Sequence, residues 1–177
     1  MSYSTGRILL SSQREGQIAR YRPLALVGVP LAAVLLQIYL PLLLPFLSFL
    51  ELPLLVVIYF SLMRRSPVGG IVMGALVGLA QDSLSTNPLG MFGIVKTLVG
   101  YFGSSVGVRL DVENVFIRLV MTFFFYCFHQ LLYWLMSRAL LAQSVVFDVQ
   151  KTLVLGLLNT IVAIALYHFL DRLRERS

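Results

Sequence analysis

The sequence predicts an all-α integral membrane protein with six transmembrane helices, and three observations predict it. The 177 residues are 58% hydrophobic and 12% charged, with a mean hydropathy of +0.86. A soluble domain is about 45–50% apolar and about 25% charged. Six apolar segments reach or approach the roughly 20 residues that a helix needs to cross a ~30 Å hydrocarbon core. Arginine is concentrated in every second connection between them, and so on one side, as the positive-inside rule requires of a multi-pass chain.

Residues 1–22 form a polar arm with Arg7, Arg14, Arg20 and Arg22 against Glu15. The apolar run that follows is too long for a signal-peptide core, and no small-residue cleavage site follows it. A retained first helix is expected, with the arm setting orientation or lying on anionic lipid heads. The spans are expected near 24–44, 46–63, 68–84, 89–108, 115–136 and 149–170, within a transmembrane domain over 23–172 and before a short basic tail, 173–177. Pro41, Pro45 and Pro53 interrupt one long apolar stretch. Proline removes a backbone donor and bends or ends a helix, so the first connection is expected between Pro41 and Pro53.

The N-terminal arginines, Arg64, Arg65, Arg109, Arg118, Arg172, Arg174 and Arg176 fall on one side, and Arg138 and Lys151 on the other. Six spans then place both termini in the cytoplasm. No connection has room for an extramembrane catalytic domain. No Walker loop, paired CxxC or HExxH occurs. His129 and His168 lie on different helices without metal-ligand spacing, and no metal or cofactor is expected. Cys127, the single cysteine, sits in an aromatic run and reads as a small buried hydrophobe. The net charge of +6 is explained by topology, and no nucleic-acid partner is expected.

Ionisable groups within a membrane are costly and raise a functional question. At about 1.5 Å of rise per residue, Glu51 is expected about 8 Å and Lys96 about 10 Å below the outer surface. Asp82, His129, Gln130 and Gln37 fall in the same outer half, and Asn159 nearer the middle. The inner half is expected to be nearly free of such groups. Glu51, Gln81, Asp82, Lys96 and His129 therefore form a candidate outward polar cluster, with Lys96 paired to Asp82 or Glu51. It reads either as an ion pair that fixes how helices dock or as a ligand or partner site. Thr122, Tyr126, His129 and Tyr133 lie on one face of the fifth helix. Asp148 is placed to cap the sixth.

Nine of the thirteen glycines fall within 69–107. Gly70, Gly74 and Gly78 repeat every four residues, and Gly100, Gly103 and Gly107 line the next helix. Small residues let helix backbones approach closely in lipid. These faces serve either the hairpin itself or a helix of another protein. In the turn between them, Asn87 is placed as a cap and Pro88 at the first helical position; Gly90 and Gly93 allow close approach at the mouth of the following helix.

The sequences Gly78-Leu79-Ala80-Gln81-Asp82 and Asn87-Pro88-Leu89-Gly90 resemble those of the bacterial rod shape-determining protein MreD family. Glu51-Leu52-Pro53-Leu54-Leu55 and the Arg64-Arg65 loop fit the same pattern. The resemblance covers about residues 24–172. It implies a non-enzymatic membrane subunit of the rod elongation machinery, in the cytoplasmic membrane. Its implied partners are MreC and, through it, MreB, the glycosyltransferase RodA and a class B penicillin-binding protein. The family is also similar to the S-components of energy-coupling factor transporters, six-helix bundles with an outward pocket. The alternative reading is thus a substrate-binding subunit of a small-molecule transporter. An enzyme acting on lipid head groups is a third and weaker reading, because no nucleophile or metal constellation accompanies the Lys, acid and His. Lipid contacts follow from any of these, and oligomeric state is left open, a homo-oligomer included.

Overall fold

The computed structural model describes residues 21, 23–85, 88–141 and 146–174. The arm, apart from Tyr21, lies outside the described residues, as do Asn87 and Arg176. Among the described residues six α-helices follow in order: α1 (Pro23–Leu43), α2 (Leu52–Arg64), α3 (Pro67–Leu84), α4 (Met91–Gly107), α5 (Val115–Leu141) and α6 (Val149–Arg172). A 3₁₀ turn, Pro45–Phe49, joins α1 to α2. Four helices among the described residues, α1, α3, α5 and α6, are long and apolar enough to cross a membrane. The chain is an all-α membrane protein, as expected, but its helices are unequal in role.

The difference is largest at α2. It begins at Leu52 rather than near residue 46, because Pro45 starts the 3₁₀ turn and Leu50 is extended. Pro53 then stands in the first turn, where its missing N–H costs nothing. With 13 residues, α2 is about 20 Å long, shorter than the hydrocarbon core. Every residue from 53 to 63 is buried. The helix that looked like an ordinary span is the central post, and the others surround it.

A buried helix start needs acceptors for its free amides. Asn159 Oδ1 accepts from the Glu51 N–H at 2.8 Å, and Gln37 Oε1 from the Leu52 N–H at 3.0 Å. The Asn159 amide donates back to the Phe49 and Leu155 carbonyls at 3.0 and 2.9 Å. Asn159 therefore belongs to the level of Glu51. That level lies about 15 Å below the start of α6 at 1.5 Å per residue, deeper than the 8 Å expected for Glu51.

The helices α3 and α4 form a close hairpin. A Cβ on Gly74 would overlap the Lys96 carbonyl, one on Gly78 the Phe92 carbonyl, and one on Gly70 or Gly100 the backbone of the other. Gly107 meets the Leu62 backbone of α2, and Gly103 the Ser61 side chain. Both glycine faces are thus occupied within the chain, and the alternative that they receive another protein's helix is not what the structure has. Gly74→Ala sets backbone against backbone, with no side chain able to turn aside. It is expected to cost about 3 kcal/mol, the upper end of overpacking penalties. Gly28, with nothing within 4 Å of an added Cβ, should accept alanine within about 1 kcal/mol of the parent. Unfolding titrations of the two variants in mixed micelles check the contrast.

Tyr21 and Arg174 pair in an isolated antiparallel bridge, so both ends of the helical region lie at one end of the bundle. That end is not free of polar groups, contrary to expectation. Arg118, expected among the cations of the arginine-rich side, is buried and donates to both Asp171 oxygens at 3.0 and 2.9 Å. The Tyr59 hydroxyl donates to Asp171 at 2.6 Å and accepts from Tyr21 at 3.0 Å. Burial pushes the Tyr21 phenol above its ordinary range, keeping it a neutral donor. Thr122 joins Tyr167 at 2.9 Å beside them. Asp171→Ala should cost about 2 kcal/mol, less than the ~3–5 kcal/mol of a fully buried pair, because the carboxylate is 37% exposed and partly screened. Adding Arg118→Leu should recover part of that loss in the same unfolding measurement.

Candidate functional site

At the opposite end, three of the five predicted cluster residues meet. Lys96 lies in the second turn of α4, its side chain fully buried. Its Nζ is 3.9 Å from Glu51 Oε2, 3.5 Å from His129 Nε2 and 4.2 Å from the Phe92 ring centroid. The Phe92 ring lies near-parallel to those of His129, at 6.0 Å, and Tyr133, at 5.1 Å. The cation is held by one carboxylate, one imidazole and one ring face, and these replace the water it has lost. At an effective dielectric of 20, a 3.9 Å pair gains about 4 kcal/mol, comparable with the several kcal/mol that each ion loses on desolvation. The pair therefore fixes geometry more than it adds stability. In the tautomer whose Nε2 accepts from the ammonium, the His129 proton is on Nδ1. Neither Nδ1 nor Glu51 Oε2 has a hydrogen-bond partner among the described residues.

Glu51 stands at the N-cap of α2, and its carboxylate lies between this cage and a cavity of about 390 Å³. Tyr126, Gln130, Tyr133 and Trp134 of α5 face Lys151 and Asp148 of α6 across the cavity. The Gln130 amide donates to the Tyr126 hydroxyl at 3.0 Å. Asp148 caps α6 through the Lys151 N–H at 2.9 Å. The volume falls within the ~300–1,000 Å³ of small-ligand pockets. Of the five predicted residues, only Glu51 lines it; Lys96 and His129 stand behind.

Asp82 is not Lys96's ion-pair partner. It is buried and accepts three backbone N–H bonds, from Gly90 at 3.0 Å, Phe92 at 3.1 Å and Gly93 at 3.0 Å. These are the N-cap amide and two first-turn amides of α4, whose N-cap residue, Gly90, has φ +96° and no capping side chain of its own. Asp82 supplies that cap from the end of α3, and its charge meets the positive end of the α4 dipole. Pro88, expected as the first helical residue, precedes the helix. Gln81, its neighbour, is buried, its Oε1 without a hydrogen-bond partner among the described residues, and does not line the cavity. Sequence reasoning missed the roles of Asn159 and Gln37. The available signal was the proline-broken start of α2, which leaves amides that must find acceptors.

The family model for the rod shape-determining protein MreD matches residues 21–176. The chain belongs to the rod shape-determining protein MreD family. It is therefore a cell-shape-determining membrane protein, and the apolar helices that surround α2 are the multi-pass body of a family member. No curated protein and no solved structure matches the chain. The family match spans the whole described bundle, so the Asp82 cap, the Lys96 cage and the cavity all lie within it.

Proposed function

We propose that this chain is a non-enzymatic subunit of the rod elongation complex, organising side-wall peptidoglycan synthesis together with MreC. RodA, a class B penicillin-binding protein and, indirectly, MreB belong to the same assembly. The protein lies in the cytoplasmic membrane with both termini inside, which puts the Glu51 cavity and the α3–α4 turn outside. The family match over residues 21–176 carries this reading. The meeting of Tyr21 and Arg174 supports termini on one side, and the arginine bias supports the cytoplasm as that side. The outward cavity, with Glu51 held beside a buried Lys96, suits a membrane-proximal segment of a partner. Affinity capture from native membranes should recover MreC together with wall synthases. Their reproducible absence under stringent detergent controls counts against the proposal.

The same cavity favours a second reading, a transporter subunit like the energy-coupling factor S-components, because its volume and mixed lining suit a small molecule. Purified protein would then retain a vitamin-like ligand and lose it on Lys96→Ala with the fold intact.

A further inference from the structure

A second cavity, about 460 Å³, runs between α1 and α3 on the outside of the bundle. Its floor is apolar and closed by buried Val34 and Val77. Its rims are exposed: Val27 and Leu31 on α1, Val72 and Leu76 on α3. Arg64 is the one charged residue in the lining among the described residues. It ends α2, and its Nη1 lies 3.7 Å from where a Cβ on Gly69 would stand, over the first turn of α3. No ion pair or hydrogen bond holds its guanidinium among the described residues. Arg65 follows at φ 52°, beyond the helix end.

The dimensions decide what fits. The lining on α3 runs from Val68 to Ala80, about 18 Å at 1.5 Å per residue. That is close to the ~15 Å depth of one leaflet and well short of the ~30 Å that a crossing helix needs. The groove is apolar on its floor and on both rims along that length, and a single extended chain needs less width than the ~10–12 Å of a helix with its side chains. A hydrocarbon chain, with carbon contacts at about 4 Å, fits such a channel. An unpaired arginine at one end of an apolar channel calls for an anion joined to that chain.

We propose that the α1–α3 groove holds one acyl chain of an anionic phospholipid of the inner leaflet, with its phosphate on Arg64. The leaflet rests on the topology proposed above; the chemistry of the site does not.

Native mass spectrometry of the full chain, released from micelles containing phosphatidylglycerol and phosphatidylethanolamine of identical chains, tests this. The parent should retain phosphatidylglycerol about fivefold over phosphatidylethanolamine, as one basic contact provides. Arg64→Gln should bring that ratio to about parity, whereas Arg109→Gln, outside the groove, should leave it unchanged. Val72→Trp, which fills the channel, should lower retention of both lipids. Parity in the parent protein, or an unchanged preference in Arg64→Gln, overturns the proposal without reference to partners or topology. A photoreactive residue at position 72 in native membranes should label lipid; labelling of a polypeptide overturns the assignment in favour of a partner helix.

Discussion

Asp82→Ala is expected to unfasten the α3–α4 hairpin and abolish rod-shape complementation, whereas Arg138→Ala is expected to be nearly silent. The alanine leaves the Gly90, Phe92 and Gly93 amides without their acceptor. A buried amide left unpaired costs about 1–3 kcal/mol, and the carboxylate's attraction to the α4 N-terminus adds about 1 kcal/mol. The Gly90 bond is only part-buried, so a total of about 4 kcal/mol is expected. Asp82→Asn keeps one acceptor oxygen and turns an NH₂ group towards donors, so it should fall between the parent and alanine. Arg138 is exposed and only lies over the Trp134 ring at 5.4 Å, and surface changes of this kind stay within about 0.5 kcal/mol. Hydrogen exchange separates a cap from a ligand contact. The first-turn amides of α4 should lose protection in Asp82→Ala and Asp82→Asn, with α6 unaffected. Equal morphology scores for Asp82→Ala and Arg138→Ala would sink the prediction.

The hairpin was legible in the sequence because glycine has a geometric consequence that spacing exposes. Residues four apart share a helix face, so Gly70, Gly74 and Gly78 had to be a contact surface. Only the identity of the opposing helix was open, and α4 takes that place. The depth of Glu51, Lys96 and His129 was also legible well enough to bring them together, since hydropathy and helix rise both act along the membrane normal.

What lay across that normal was not legible. Hydropathy cannot distinguish a helix surrounded by lipid from one surrounded by other helices, because lipid tails are as apolar as leucine. That is why α2, buried on every side, read as an ordinary span. Counting charges also conceals backbone partners. Asp82 needed a counter-charge only if side chains were its sole option, and the orphan amides of α4 were a better one. The Arg118–Asp171 pair was hidden by the topology rule itself, which weighs arginines by side and gives little weight to the acid that buries one of them.

Removing either member of the Lys96–Glu51 pair should destabilise the protein, and removing Glu51 should be the worse of the two. Lys96 is fully buried, while the Glu51 side chain keeps 18% exposure and borders the cavity. Glu51→Gln therefore strands a cation with no route to water and should cost about 3–5 kcal/mol, as for other broken buried pairs. Lys96→Met strands a carboxylate that can turn to the cavity, and an unbranched methionine keeps the contact with Phe92. A cost of about 1–3 kcal/mol is expected there. The double variant should be more stable than the sum of the single losses by about 2 kcal/mol. A coupling energy under about 0.5 kcal/mol would mean that the 3.9 Å approach is not an energetic pair. The double variant also separates two roles for the site. If it regains both stability and rod shape, the pair serves only to dock α4 against α2. If stability returns and rod shape does not, the Glu51 carboxylate is recognised from the cavity, by a partner segment or a bound molecule, and the charge behind it exists to hold that carboxylate in place.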